Sequence, residues 1–226
     1  CIKIGVFVPE LPEVETIRRG LQDIITGKKI VQSKVYDSPK SFPNSPGDVN
    51  NFLYGSEITS VRRRAKVLMI DLSTNYTLVI HLKMTGQIIY RGDIKFGAGH
   101  PNDSLIGELP DKSTRVSFDF EDGSKLFFND QRKFGWIKLI PSLEVKNLPF
   151  MQKVGPEPLD DDFTVEDFIH RFERRKNTSI KAALLDQTVV AGVGNIYADE
   201  SLWGAKIDPR RRVKDITNDE FKSLYN

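Results

Sequence analysis

Four stretches of the chain gather residue types that chemistry can use: PELPEVET (residues 9–16), HLKMTG (81–86), NDQRKFGW (129–136) and VAGVGNIYADESLW (190–203). In the first, two carboxylates, Glu10 and Glu13, stand among two prolines. That string either supplies acid–base groups or does no more than cap a helix beginning at Pro12. The second and third supply Met84, Arg132 and Phe134; taken singly, Met84 reads as strand core and Phe134 as a packed aromatic. The fourth sets Gly192-Val193-Gly194-Asn195 ahead of a helical pattern. Glycines let a ligand approach the backbone closely, and the free amides of a helix N-terminus make a ready phosphate site.

Charge is spread unevenly. The net charge is only +2, yet residues 171–214 hold ten Lys/Arg against five Asp/Glu, whereas residues 141–170 hold two against seven. A second basic knot is Arg62-Arg63-Arg64-Ala65-Lys66. Such knots are solvated faces unless something else points to a polyanion.

The elements that must position these residues are legible in outline. Residues 12–26 predict a helix with Val14, Ile17, Leu21 and Ile24 as its apolar stripe, Glu13 and Glu15 at its positive end and Gly27 as its stop. From Lys28 to about Ile140 the apolar period falls to two, in runs at 29–37, 57–72, 76–92, 114–123, 124–130 and 135–140. Residues 121–124 make a hairpin turn, and residues 97–112 read as a loop. Many short strands at this spacing predict a β-sandwich or barrel. Lys66 falls within one of these runs, alternating with Val67 and Met69. Beyond Pro141, the stretch Gly155-Pro156-Glu157-Pro158-Leu159 reads as a stiff connector, and 164–176, 179–190 and 195–205 carry helical spacing. The organisation is therefore α+β and multidomain: a β-rich domain over 9–141, a linker over 142–158 and an all-α domain over 159–226.

Composition narrows the class. Hydrophobic residues make up 39% of the chain and charged ones 28%, the balance of a globular protein, and no apolar run approaches the roughly 20 residues that span a bilayer. The single cysteine, Cys1, excludes an internal disulfide and any multi-cysteine metal site within these 226 residues. A reducing, cytoplasmic setting is the expectation.

Taken together and in order, the four stretches resemble the formamidopyrimidine-DNA glycosylase family, bifunctional enzymes that excise oxidised purines from DNA. The resemblance covers nearly all of residues 9–226. It implies a β-sandwich flanked by helices, then a helix-two-turn-helix domain, then a C-terminal zinc finger. It also implies a monomer that works on damaged double-stranded DNA in a bacterial-type cytoplasm and makes no use of a membrane.

The resemblance assigns roles residue by residue. Pro9 matches the mature N-terminus, whose secondary amine is the nucleophile; Glu10 and Glu13 move protons beside it, and Lys66 binds phosphate next to the damaged nucleotide. Met84 and Phe134 match wedges that fill the gap left by a flipped nucleotide, and Arg132 matches the residue that bonds the orphaned base. Lys181 and Asn195 match phosphate contacts, and Glu200 a carboxylate supporting the active site.

Pro9, acylated by residue 8, has no basic nitrogen. The expectation is that residues 1–8 are a non-native extension from a misassigned start: Val8 is what a GTG start codon yields when translated literally, and loss of an initiator Met there frees Pro9. At the other end, Thr217-Asn218-Asp219-Glu220 is a capping box, with Ile216 and Phe221 as its hydrophobic staple. A helix so begun predicts more chain after Asn226, where the resemblance places four cysteines holding one Zn2+. Two other readings stand beside the first. One is an endonuclease VIII-like glycosylase for oxidised pyrimidines, against which Leu11 and Glu13-Val14-Glu15-Thr16 speak. The other is a catalytically inactive binder of damaged DNA, if Pro9 stays blocked.

Overall fold

A computed structural model describes residues 9–226; the extension expected over residues 1–8 lies outside them. The chain divides into two compact units, one ending at Leu148 and one spanning Pro149–Asn226.

The first unit opens with α1 (Leu11–Ile25), whose N-cap is Glu10, one residue earlier than Pro12 predicts. Its buried stripe is Leu11, Val14, Ile17, Leu21 and Ile25. Ile25 replaces the expected Ile24, which is only partly buried, because an advance of eleven residues from Val14 completes three turns whereas ten falls short. Gly27 ends the helix with φ of 84° and donates its N–H to the Ile58 carbonyl at 2.8 Å. Then follow β1 (Ile30–Val35), the short α2 (Pro46–Asp48), β2 (Ile58–Arg64), β3 (Val67–Leu72), β4 (Tyr76–His81), β5 (Gly86–Arg91), β6 (Lys95–Gly99), β7 (Thr114–Phe120), β8 (Lys125–Asp130) and β9 (Trp136–Pro141).

These strands form two antiparallel sheets, β1-β7-β8-β5-β6 and β2-β3-β4-β9. One core joins them to α1, with Leu68 and Ile70 of β3, Ile80 of β4, Ile88 of β5, Phe118 of β7 and Phe128 of β8 all at most 1% exposed. This is the sandwich expected from the period-two pattern. Two local expectations change. The run 57–72 is a hairpin in which Arg64 pairs with Val67, so Ala65 and Lys66 form a two-residue turn and Lys66 does not lie in a strand. The loop expected over 97–112 starts too early, because Gly97, Ala98 and Gly99 pair with Ile89, Ile88 and Gln87 in β6. A Cβ on Gly99 would come within 2.4 Å of the Gly86 carbonyl oxygen, so that edge needs its glycine.

Strand register gathers the motifs. Residues 82–85 and 131–135 each carry the chain from one sheet to the other. Gly86 pairs with Asp130 in the first sheet, while His81 pairs with both Trp136 and Val67 in the second. Both crossovers and the Ala65–Lys66 turn therefore lie at the same end of the sandwich.

The second unit contains α3 (Pro149–Lys153), α4 (Val165–Phe172), α5 (Ile180–Leu185), α6 (Asn195–Gly204) and α7 (Asn218–Tyr225). Phe168, Phe172, Ile180, Leu184, Ala198, Leu202, Phe221 and Leu224 form its separate core. Thr217 and Glu220 cap α7 as the sequence predicts. Helix α5 stops well before residue 190 because the Asp186 carboxylate accepts the Thr188 N–H at 2.9 Å and its hydroxyl at 2.7 Å, closing a turn. A glycine turn follows, with Gly192 at φ 81°, so two turns separate α5 from α6. Residues 142–158 are shared out: Ser142 bonds Asn75 in the first unit, while Gly155 donates to the Gln187 carbonyl at 2.7 Å in the second.

Candidate active site

Pro9 and Glu10 are buried at the start of α1, Glu10 to 2% exposure. Glu10 and Glu13 occupy the two positions of a capping box, and the Glu10 N–H donates to Glu13 Oε2 at 2.9 Å. That N–H belongs to the peptide unit that follows Pro9, so Glu13 fixes residue 9 from one side. Lys66 shares this site. Burial pushes its ammonium pKa down, and the carboxylates of Glu10 and Glu13 oppose the shift. Two carboxylates beside a buried proline, with a desolvated lysine in their field, can hold, accept and return protons.

Met84, Arg132 and Phe134 come together on the two crossover loops. The Arg132 Nη1 donates to Met84 Sδ at 3.0 Å, and its guanidinium carbon stands 4.9 Å from the centre of the Phe134 ring. Phe134 is 53% exposed, so it faces outward and is not the packed aromatic that it resembles when taken singly. Lys83 and Lys133, at φ 54° and 59°, turn the two loops through left-handed conformations. Beneath them lies Asp130, fully buried, which accepts the Gly135 N–H at 2.6 Å, the Arg132 N–H at 3.2 Å and the hydroxyl of Thr85.

Spacing alone does not mark His81, but the structure sets it in Lys66's field. Burial holds its pKa down at about 3, helped by the charges of Lys83 and Lys66. It is therefore neutral near pH 7, and Nδ1 accepts the Lys83 N–H at 3.1 Å.

In the second unit, Gly194 is the N-cap of α6 and Asn195 its first residue, exposed. Lys181 Nζ lies 2.7 Å from Asp199 Oδ1, one turn along α6 from Asn195, so the lysine borders the face that Asn195 begins. Gln187, another residue without a sequence signature, clamps the glycine turn by accepting the Gly192 N–H at 2.9 Å and donating to the Val193 carbonyl at 2.7 Å. Glu200 is exposed at the lip of an apolar cavity lined by Phe163, Phe168, Leu224 and Tyr225. The basic knots are largely spent on ion pairs: Arg62 with Asp71, Arg63 with Glu15, Arg210 with Asp208 and Arg211 with Glu220. Among the described residues no group of three or more His, Cys, Asp or Glu could hold a metal ion, and no helix is long and apolar enough to cross a membrane.

A two-sheet sandwich bearing a proline–carboxylate–lysine cluster, followed by a helix-two-turn-helix unit, is the architecture that the sequence resemblance implies. The model of the formamidopyrimidine-DNA glycosylase N-terminal domain matches residues 8–137, and that of the formamidopyrimidine-DNA glycosylase H2TH domain matches residues 154–226. The chain belongs to the formamidopyrimidine-DNA glycosylase family. It is 42% identical over 219 residues to the formamidopyrimidine-DNA glycosylase of Herpetosiphon aurantiacus, covering 96% of this chain and 74% of that protein. The Listeria monocytogenes protein of the same name is 40% identical over 219 residues, with the same two coverages. Among solved structures, the Lactococcus lactis formamidopyrimidine-DNA glycosylase bound non-covalently to DNA containing an abasic site superposes with a TM-score of 0.81 at 32% identity, over 96% of this chain and 77% of that one. Another structure of the Lactococcus lactis protein, at the same score, holds DNA containing N7-benzyl-Fapy-dG.

Proposed function

We propose that the protein is a bifunctional DNA glycosylase and abasic-site lyase of base excision repair, acting as a monomer on oxidised purines in duplex DNA. The observation that carries this reading is the burial of Pro9 and Glu10 at the start of α1, with Glu13 bonded to the Glu10 N–H and Lys66 in the field of both carboxylates. The nucleophile is the nitrogen of Pro9 once residues 1–8 are gone. A terminal amine with a pKa of about 8 is partly free base near neutrality, unlike a surface lysine.

Its lone pair forms a bond to the sugar C1′ while the C1′–base bond breaks, and the base leaves with that electron pair. The nitrogen gives up its one proton. Glu10 then protonates the ring oxygen as the C1′–O4′ bond opens, leaving a cationic iminium. Removal of a C2′ proton sends electrons into the iminium and expels the 3′ phosphate; the 5′ phosphate follows, and water releases the enzyme. Glu13 assists the proton transfers, and Lys66 takes the phosphate beside the lesion.

Extruding a nucleotide costs a few kcal/mol. Met84 and Phe134 fill the vacated stack, and Arg132 bonds the unpaired partner base. Lys181 and Asn195 hold backbone phosphates. Glu200 carries no step here, and zinc enters only through the four-cysteine finger that the resemblance places beyond Asn226.

Borohydride trapping tests the reading. The chain processed to begin at Pro9 reduces to a covalent adduct with duplex DNA carrying 8-oxoguanine, and Pro9→Gly weakens or abolishes it. An unprocessed chain that traps equally well, or a processed chain that binds the duplex without trapping, overturns it.

A further inference from the structure

Glu15, on the second turn of α1, accepts hydrogen bonds from three guanidinium groups. Arg18 reaches it from Nε at 3.0 Å and Nη2 at 2.8 Å, Arg19 from Nε at 2.9 Å, and Arg63 from Nε at 3.0 Å. Arg18 and Arg19 are helix neighbours at i+3 and i+4, the common surface arrangement. Arg63 comes from β2, forty-eight residues away, with its side chain 7% exposed against 74% for Arg19.

The other end of the Arg63 fork does something the helical arginines do not. Its Nη1 donates to the Ala65 carbonyl oxygen at 3.0 Å. That oxygen belongs to the peptide unit joining Ala65 to Lys66, inside the two-residue turn where Ala65 holds φ at 51°. A non-glycine residue keeps that conformation only where its surroundings insist on it. One planar guanidinium thus ties the helix that carries Glu10 and Glu13 to the peptide that aims Lys66, a task for a rigid fork rather than a point charge.

We propose that Arg63 is a positioning residue: it holds the Lys66 turn at a set distance and orientation from the α1 carboxylates. The proposal rests on the functional reading above and adds to it the element that keeps the lysine within the carboxylates' field. Arg63 itself touches no substrate.

The test is single-turnover trapping on lesion-bearing duplex, with the chain processed to begin at Pro9 and rates normalised to trappable enzyme. Arg63→Lys keeps a cation for Glu15 and loses the second arm. Its trapping step is expected to slow on the order of 10- to 100-fold at little change in DNA affinity, and its rate–pH profile to shift, since the Lys66–carboxylate coupling has loosened. Glu15→Gln, which weakens the anchor, is expected to slow trapping in the same direction, and the double variant to fall short of the product of the two effects. Arg19→Gln, on the same carboxylate but without reach to Ala65, keeps the parent rate. Should Arg63→Lys lower the melting temperature while its trapping rate and pH profile stay those of the parent, Arg63 is a structural ion pair and the inference fails. Should the parent itself not trap, the functional reading fails, which is a distinct outcome.

Discussion

The Arg132 guanidinium stands 4.9 Å from the centre of the Phe134 ring while also bonding Met84 Sδ, so two loops separated by some fifty residues present one outward-facing cluster. Phe134 keeps half its surface in water. An exposed phenyl ring adds little to folding, and Phe134→Ala is expected to change stability by no more than about 0.5 kcal/mol. Its effect belongs to the duplex. Excision from double-stranded DNA should fall by about tenfold, the worth of roughly 1.4 kcal/mol. Trapping on a single-stranded abasic oligonucleotide, where nothing needs to be unstacked, should not change. Equal losses on both substrates count against the wedge.

Beneath that cluster, Gly135 has no room for a side chain. A Cβ there would lie 2.7 Å from Phe128 Cζ, 2.9 Å from the His81 carbonyl oxygen and 3.1 Å from Asp130 Oδ2. Two of these neighbours are fixed backbone or a buried carboxylate, so Gly135→Ala is expected to cost about 1–3 kcal/mol, read from denaturant midpoints. Because the same residue sets the end of the Arg132–Phe134 loop, duplex excision should fall with it.

Much of this site is legible in the chain, and what is not has local causes. Three of the four stretches mark Pro9, Glu10, Glu13, Met84, Arg132 and Phe134, and period-two alternation marks the strands that bring the loops of Met84, Arg132 and Phe134 to one end. Lys66 reads as a strand residue because Arg64-Ala65-Lys66 carries no Gly or Asn to announce a two-residue turn. Strand β6 is hidden because Gly-Ala-Gly offers none of the side chains that betray a strand. Arg63 and Gln187 leave no periodic trace at all: the first acts on a partner forty-eight residues away, and the second through backbone groups.

His81 makes a prediction about acid. The unfolded chain takes up a proton there near pH 6.5, whereas the folded one refuses it down to about 3. Between those values the unfolded state binds more protons, so stability declines as pH falls through the window, and above pH 6.5 the residue contributes no slope. His81→Asn should flatten the stability curve between pH 6.5 and 3 and leave it unaltered above. By the same argument, no limb of the rate–pH profile near neutrality belongs to His81, and the variant should keep any such limb where it is.

The Lys181–Asp199 pair separates phosphate contact from mere surface charge. Lys181 Nζ lies 2.7 Å from Asp199 Oδ1, and both side chains remain partly in water. A lysine that hands its charge to a phosphate releases about 0.9 of a counterion. Lys181→Ala should therefore weaken binding to lesion-free and lesion-bearing duplex alike and make the plot of log affinity against log salt shallower by about 0.9. Asp199→Asn removes the competing carboxylate and should tighten binding at low salt with the slope preserved. The comparison is a fluorescence-anisotropy titration at several salt concentrations. A Lys181→Ala slope equal to the parent's would mean that this lysine serves only Asp199 and that the phosphate is held elsewhere.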